Sequence, residues 1–549
     1  MKKNNFLLIC LIFAVLALTS CGRTGNEPQL AEINGAVIQE ASPPEVSPPE
    51  APPVQTNEVT APETPQEPPT PEQVPVPIDM PPFTGFPLTH QAEDGNLVNG
   101  TRISSRRSGY TGTGYVAGFE QEGAAVEFTV YIHYEGFYDL NFITASPYGF
   151  KANRIYLNGE RIGVVEIDET TDFSDSVLQR VFLPAGRHII AYSHYWGWMF
   201  LDRLEITPAI DLDPAMFNVS ARLANPNANE AARQLMELLV YLYGTHFISG
   251  QYTDYGVHGA EFQVIRDITG QTPALMGLDL MDYTPSRVAR GTVGRTVEHA
   301  IEFHNMGGIV TFCWHWNAPE EYITGTWYRA FFTYVTNIDL RKIVDGDDPQ
   351  GFDLLMRDID AISYQLLRLQ EAGVPVLWRP LHEAAGGWFW WGAAGAEAQI
   401  ELWRLMFDRM TNYHGLNNLI WLWNGEHADW YPGDAYVDII GEDVYFGERV
   451  YASGIERFLQ AKAFTYPPKM VVLSETDALF DPDIALRDGA MWGFFAPWKR
   501  EFVLESRFPP VYSERFTERW MLEHVYAHER VITLENLLER FPERVRVLN

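Results

Sequence analysis

Cysteine is nearly missing from this chain: three in 549 residues, with Cys10 and Cys21 in or beside an N-terminal apolar segment. Only Cys313 is left in the body of the chain, so no intrachain disulfide can brace the mature fold. Positive charge is also scarce. Forty Lys and Arg stand against 72 Asp and Glu, a formal net charge of -32. That excludes nucleic acid and anionic lipid as partners recruited by charge, while a neutral polymer is not repelled. The N-terminal apolar run, Phe6 to Leu18, stops at 13 residues, short of the ~20 that a spanning helix needs. Two hydrolytic signatures fail as well. His382-Glu383-Ala384-Ala385-Gly386 has no second histidine for a zinc site. Ser474 has no flanking Gly-x-Ser-x-Gly elbow.

What the chain does have is aromatic rings and apolar mass: 16 Trp, 26 Tyr, 32 Phe and 46% hydrophobic residues. Its length predicts two or three domains. Residues 1–20 read as a leader, with Lys2-Lys3 ahead of the apolar run. It closes on Leu18-Thr19-Ser20-Cys21, which resembles the bacterial lipobox. The resemblance implies cleavage before Cys21 and acylation of its thiol. The protein is then expected on the extracellular face of a bacterial membrane, held there only by lipid on Cys21. Residues 21–85 form a linker, with fifteen prolines between Pro43 and Pro82. Such a segment buries no core and runs as a semi-rigid stalk; 40 residues at ~3.1 Å each reach about 120 Å.

Residues 86–210 read as all-β. Val126, Phe128, Val130 and Ile132 alternate at period two, as do Tyr138, Leu140 and Phe142. Asn158-Gly159 marks a hairpin, and Pro184-Ala185-Gly186 marks a further turn. The expected fold is a jelly-roll β-sandwich. Tyr110–Gly118 contains Gly-x-Gly, but no amphipathic helix follows, which excludes a dinucleotide loop. Trp196 and Trp198 fall in an expected loop, where an exposed pair would form a platform for a sugar.

From residue 215 to 549 strands alternate with helices. Strand-like runs are His246–Tyr252, Ala274–Leu280, Gly308–Trp316, Val374–Glu383, Leu419–Asn424, Val437–Phe446, Met470–Thr476 and Met491–Trp498. Helices are expected over Asn229–Leu242, Thr296–Asn305, Asp353–Ala372 and Ala396–Asn412. Eight strands in about 300 residues predict a (β/α)8 TIM barrel. An open doubly wound sheet is the alternative. The long third connection, from Asn317 to Val374, predicts an insertion.

Val374-Pro-Val-Leu-Trp378 ends on Arg379, His382 and Glu383, and Trp388-Phe389-Trp390-Trp391 follow. A carboxylate at a strand end beside indole rings suits a bound sugar, whose apolar faces stack on aromatics. Glycosidic cleavage needs a second carboxylate. Glu475 ends Val471-Val-Leu-Ser-Glu475, 92 residues later (475 − 383). At about 30 residues per barrel unit, that spans strand four to strand seven, across the barrel mouth. Asp279 and Asp282, after strand two, could cap a helix or bind substrate. Cys313 reads as barrel packing.

Residues 215–549 resemble glycoside hydrolase family 26, whose usual activity is endo-β-1,4-mannanase. The resemblance rests on Trp378-Arg-Pro-Leu-His-Glu383 with Trp388–Trp391, on Val472-Leu-Ser-Glu475, on Asp443-Val-Tyr445 and on Cys313-Trp-His-Trp316. It implies Glu383 as acid/base and Glu475 as nucleophile, with His382 and Arg379 holding the acid/base and the sugar. Tyr445 and Asp443 would attend the nucleophile; His315, Trp388 and Trp492 would shape the adjacent sugar subsite. Ala384-Ala385 depart from the Asn or Met often found after the acid/base. The expected reaction is retaining hydrolysis of mannan, glucomannan or galactomannan, with no catalytic cofactor, by a monomer. Relatives acting on β-1,3-xylan or mixed-linkage β-glucan, and a non-catalytic glycan-capture lipoprotein, are the alternatives. Residues 86–210 resemble carbohydrate-binding module family 35. Gln91-Ala-Glu93, Gly112-x-Gly114-Tyr-Val-x-Gly118-Phe119, Tyr156-Leu-Asn-Gly159 and Leu201-Asp-Arg-Leu-Glu-Ile206 carry that resemblance. It implies a structural Ca²⁺ site with Glu93 and Asp202 as ligands.

Overall fold

The computed structural model describes residues 80–542. The expected leader, Cys21 and nearly all of the proline-rich stalk lie outside the described residues. No helix among the described residues is long and apolar enough to cross a membrane.

Period-two patterning gives eleven strands: β1 (Leu88–Gln91), β2 (Asn96–Val98), β3 (Arg102–Ser104), β4 (Tyr115–Ala117), β5 (Ala125–Ile132), β6 (Gly136–Ser146), β7 (Lys151–Leu157), β8 (Glu160–Ile167), β9 (Thr170–Leu183), β10 (Gly186–Trp196) and β11 (Phe200–Pro208). They form two antiparallel sheets, β3-β4-β11-β6-β9 with β1 on β11, and β2-β5-β10-β7-β8. The alternating residues expected to face inward in β5 and β6 do so and meet in one core. Asn158 and Gly159, at φ +53° and +91°, make the two-residue hairpin between β7 and β8, the left-handed pair that matches strand twist. The Pro184–Gly186 turn differs from a hairpin. It carries the chain from β9 in one sheet to β10 in the other. The linker also ends earlier than expected. Pro81 already accepts a hydrogen bond from His133, and Phe83 and Phe86 pack on Tyr134 and Tyr138.

The barrel has all eight expected strands: β12 (Phe247–Tyr252), β13 (Leu275–Asp279), β14 (Ile309–Cys313), β15 (Val376–Arg379), β16 (Leu419–Trp423), β17 (Ile439–Val444), β18 (Met470–Thr476) and β19 (Phe494–Pro497). Each runs parallel to the next, and β12 pairs with both β13 and β19, which closes the cylinder. A two-residue strand, β20 (Val531–Ile532), lies parallel to β12 and was not expected. Closure explains the all-apolar runs, since both faces of every barrel strand are buried. The helix Glu230–Leu242 starts at Asn229, whose side chain accepts from the Ala232 N–H, so one free amide of the first turn is satisfied. Thr296–Asn305 is helical as expected. The third connection holds three short 3-10 turns and the helix Leu340–Val344 before the long helix Pro349–Glu371.

The sandwich packs on the barrel through β9, which touches the helices Ile455–Lys462 and Pro482–Asp488. Arg180 Nε donates to the Asp488 carbonyl at 3.0 Å, and the Arg487 guanidinium lies 4.8 Å from the Phe182 ring centre.

Candidate active site

The site is built on Arg379, the last residue of β15. Its side chain is fully buried and donates to Asp443, to Glu475 Oε2 at 2.7 Å and to the Tyr252 hydroxyl at 3.1 Å. A buried guanidinium is tolerated only when paired; here two carboxylates at the ends of β17 and β18 pair it. The same cation fixes the orientation of Glu475. The other oxygen of Glu475 accepts from the Tyr445 hydroxyl. Burial and the Glu475 charge hold the Tyr445 phenol well above its ordinary range, so it stays a donor. Asp443 is oriented further by Ser474 Oγ at 2.7 Å.

Glu383 is placed by a strained turn. Beyond Arg379 the chain leaves the strand, and Leu381 and Glu383 take φ of +51° and +52°. Left-handed backbone in non-glycine residues costs on the order of 1 kcal/mol each. Asn424 offsets it: its side-chain oxygen and its carbonyl accept the Glu383 N–H at 2.8 and 3.0 Å. Trp388 Nε1 donates to Glu383 Oε2 at 2.9 Å. Gly386 makes room for that ring, because a Cβ there would stand 1.8 Å from it. The Glu383 carboxyl is held well above its ordinary 4.5, first by burial and then by the charges of Glu475, Asp443 and Glu426. The Trp388 N–H opposes that shift. The indole N–H is therefore a brake on the raised pKa.

One oxygen each from Glu383, Asp443 and Glu475 lie within 4.8 Å of one another. Such a triad could attract a cation, but Arg379 already occupies Asp443 and Glu475. What remains is one carboxylate held by Arg379 and Tyr445, facing one carboxyl set to hold its proton.

His315 and His382 line one side of this centre. Asp279 accepts the His315 Nδ1–H at 2.7 Å and the His315 amide at 3.2 Å. Burial raises the Asp279 carboxyl, but the His315 charge and hydrogen bonds outweigh it and bring it to about 2. His315 Nε2 faces His382 Nε2 at 3.4 Å, so one proton between them serves both rings. Burial, followed by Arg379 and His315, pushes His382 well below 6.5, so it is a neutral imidazole. His382 thus holds His315 in place and reaches Glu383 only through the backbone.

Four expectations are corrected. Arg379 holds Asp443 and Glu475, not the acid/base Glu383. Trp492 is not in the cleft. It precedes β19, at the end of the barrel opposite the site, and is fully buried against Phe458 with its N–H on the Ser453 carbonyl. Trp498, just past β19, takes the expected place, 5.7 Å from His315 and 4.6 Å from Tyr252 between ring centres. The aromatic block also divides. Phe389, Trp390 and Trp391 are core, and only Trp388 is half-buried at the cleft. Their indole N–H groups face inward, Trp390 to the Trp316 carbonyl and Trp391 to the His382 carbonyl. Finally, Trp196 ends β10, paired with Ala152, and does not lie in a loop. Trp198 is exposed, and its exposed neighbour is Tyr148, ring centres 6.5 Å apart. Sequence reasoning placed Asn424 after strand five but missed its hold on the Glu383 N–H, along with Tyr252 and the binding of Asp279 to His315. Each sits at a strand end, a position signal that a barrel reading could have used.

Residues 224–517 match glycosyl hydrolase family 26, and residues 89–209 match carbohydrate binding module family 35. The chain belongs to glycosyl hydrolase family 26. A mannan endo-1,4-β-mannosidase of Thermothelomyces thermophilus is 38% identical over 456 residues, 82% of this chain and 90% of that protein. Mannan endo-1,4-β-mannosidase B of a Piromyces species is 32% identical over 455 residues, 82% and 77% of the two chains. Among solved structures, a Podospora anserina GH26-CBM35 β-(1,4)-mannanase shares 38% identity at a TM-score of 0.58, covering 82% of this chain and 98% of that one. The family 26 barrel and family 35 module therefore occur together in both chains, and the (β/α)8 architecture stands.

Proposed function

We propose that this chain is a retaining endo-β-1,4-mannanase. The observation that carries the chemistry is the oxygen-to-oxygen approach of Glu383 and Glu475 within 4.8 Å. Retaining pairs stand ~5–5.5 Å apart, and inverting pairs need ~6.5–9.5 Å to admit a water. Glu475, held by Arg379 and Tyr445, attacks the anomeric carbon. Glu383 gives its proton to the departing glycosidic oxygen, and a glycosyl ester forms. Glu383, now a carboxylate, takes a proton from water, whose oxygen displaces Glu475 with net retention. A glycan-capture protein has no need of a carboxyl kept protonated beside an arginine-held carboxylate. Hydrolysis of mannan, galactomannan, β-1,3-xylan and mixed-linkage β-glucan, with product sizing, tests the substrate. Glu383→Gln and Glu475→Ala should each cut turnover on mannan by at least about 10²–10⁴-fold while the chain still folds. Near-wild-type turnover in either variant refutes the assignment.

The sandwich module is read as a mannan-binding unit with Trp198 and Tyr148 as its exposed platform. Its structural Ca²⁺ would be held by Glu93 and Asp202 with Gln91 and Thr111, all oxygen donors as calcium prefers. The residues fit. Glu93 Oε2 is buried without a hydrogen-bond partner, and a Cβ on Gly112 would stand 2.2 Å from Glu93 Oε1 and 3.1 Å from Gln91 Oε1. Thr111 Oγ1 joins Gln91 and Asp202 at 3.0 and 3.1 Å. The leader and Leu18–Cys21 support lipid anchoring outside a bacterial cell. Cys21→Ala should move the protein from membranes to the soluble fraction, and retention at wild-type level would refute the anchor.

A further inference from the structure

The ends of β17 and β18 are tied together twice. The first tie is the Tyr445 hydroxyl on Glu475. The second lies two residues further along each chain, where the Gly447 N–H donates to Asp477 Oδ2 at 2.8 Å. The other oxygen of Asp477, Oδ1, is buried and has no hydrogen-bond partner. Over this second tie lies a residue of the other domain. Arg161, in strand β8 of the sandwich, places its two terminal guanidinium nitrogens 3.0 and 3.3 Å from where a Cβ on Gly447 would stand. Gly447 has φ +98°, so its backbone also disfavours a side chain. The bare glycine lets the guanidinium reach the loop.

Asp477 is the barrel carboxylate whose charge acts on Arg161, against burial and the like charge of Arg154. Arg154, whose like charge acts on Arg161, is itself held 4.2 Å from the centre of the Tyr195 ring. On its far side the same loop is held by the barrel. Arg449 N–H donates to the Phe516 carbonyl at 2.8 Å, and Arg515 pairs with Glu448 at 2.7 Å. The segment carrying Tyr445 is therefore clamped between the C-terminal part of the barrel and the sandwich.

We propose that the sandwich module is a working part of the catalytic centre: Arg161 braces the Gly447–Asp477 tie and so keeps the Tyr445 hydroxyl on Glu475. Arg161 is a positioning residue, acting on the nucleophile through that tie. This rests on the reading of Glu475 as nucleophile.

The test uses the full chain and a short soluble manno-oligosaccharide, too small to bridge the cleft and the Trp198 surface. Arg161→Ala should lower kcat roughly 3- to 10-fold with KM within about twofold, the mark of a misplaced reacting group. Arg161→Lys should recover part of the loss, and Arg187→Ala, an exposed sandwich arginine, should change nothing. Hydrogen exchange over residues 445–453 gives a second readout independent of turnover; it should quicken in Arg161→Ala and in Asp477→Asn. Unchanged kcat together with unchanged exchange in Arg161→Ala overturns the proposal. A wild type inactive on every mannan sinks the mannanase reading instead, and the exchange data still decide whether Arg161 braces the loop.

Discussion

Glu383 shows most directly how a single residue trades stability for chemistry. Its ordinary value is 4.5, and burial with three neighbouring carboxylates holds it well above that in the folded chain. Between those two values the folded state keeps a proton that the unfolded state releases. Stability therefore falls as pH rises through that window and stays lower above it. Glu383→Gln removes the ionisation and should raise Tm at neutral pH by at least about 2 °C. The gain should shrink below pH ~4.5, where wild type is protonated in both states. A calorimetric pH series checks this; a variant less stable than wild type at neutral pH would mean that the carboxyl is held ionised. At this scale the sequence revealed the reactive pair but not its setting. The strand-end position of Glu383 and Glu475 was legible because barrel chemistry gathers there. Asn424, just past β16, accepts the Glu383 N–H, and Tyr252, at the end of β12, accepts from Arg379; their strand-end places are legible, but nothing local in the sequence marks those contacts.

The element that decides the geometry is the turn from Pro380 to Gly387. Its left-handed residues swing Glu383 out of line with β15, and the chain then doubles back, so Phe389, Trp390 and Trp391 pack inward. The insertion from residue 317 covers them: Trp390 N–H meets the Phe331 carbonyl, and Thr333 N–H meets that of Trp388. A run of four aromatics reads as a sugar wall when the covering loop is unknown, which is why three core rings were taken for a binding surface. The family resemblance placed Trp492 at the mouth, whereas β19 starts after it, at Phe494. Period and polarity identify a strand, but only its bounds show that Trp492 precedes it and Trp498 follows it. The turn also makes a sharp prediction. In Gly386→Ala the new Cβ would lie 1.8 Å from the Trp388 ring. That ring is half-buried and can swing aside, so the fold should survive. Glu383 would lose its indole partner and the sugar its stacking surface. We expect kcat/KM on mannan to fall by about tenfold or more, ~1.4 kcal/mol or more of transition-state stabilisation, with Tm nearly unchanged. Full activity would show that Trp388 is not needed at its present position.

At the scale of the whole molecule, two legible folds are joined by an illegible interface. Alternation revealed the sandwich and strand–helix succession revealed the barrel. Nothing in the sequence paired Arg180 with Asp488, because each is an ordinary surface residue until the two bodies meet. The sandwich then has two separable duties: its β8–β9 edge attends the barrel, while Trp198 and Tyr148 stand free. An exposed aromatic pair offers stacking faces for a neutral, hydroxyl-rich chain, and a protein of net charge -32 does not repel one. Trp198→Ala with Tyr148→Ala should therefore abolish retention on insoluble mannan and leave the barrel folded. Glu93→Gln should act differently. It keeps both rings but weakens the oxygen cage that orders the Tyr110–Gly114 loop. Wild type should gain Tm on adding Ca²⁺ and lose it to a chelator, as a ligand bound only by the folded state requires, and Glu93→Gln should respond to neither. Retention that survives loss of both rings would place the glycan elsewhere on the module, and a Ca²⁺ response that survives in Glu93→Gln would remove that carboxylate from the cage.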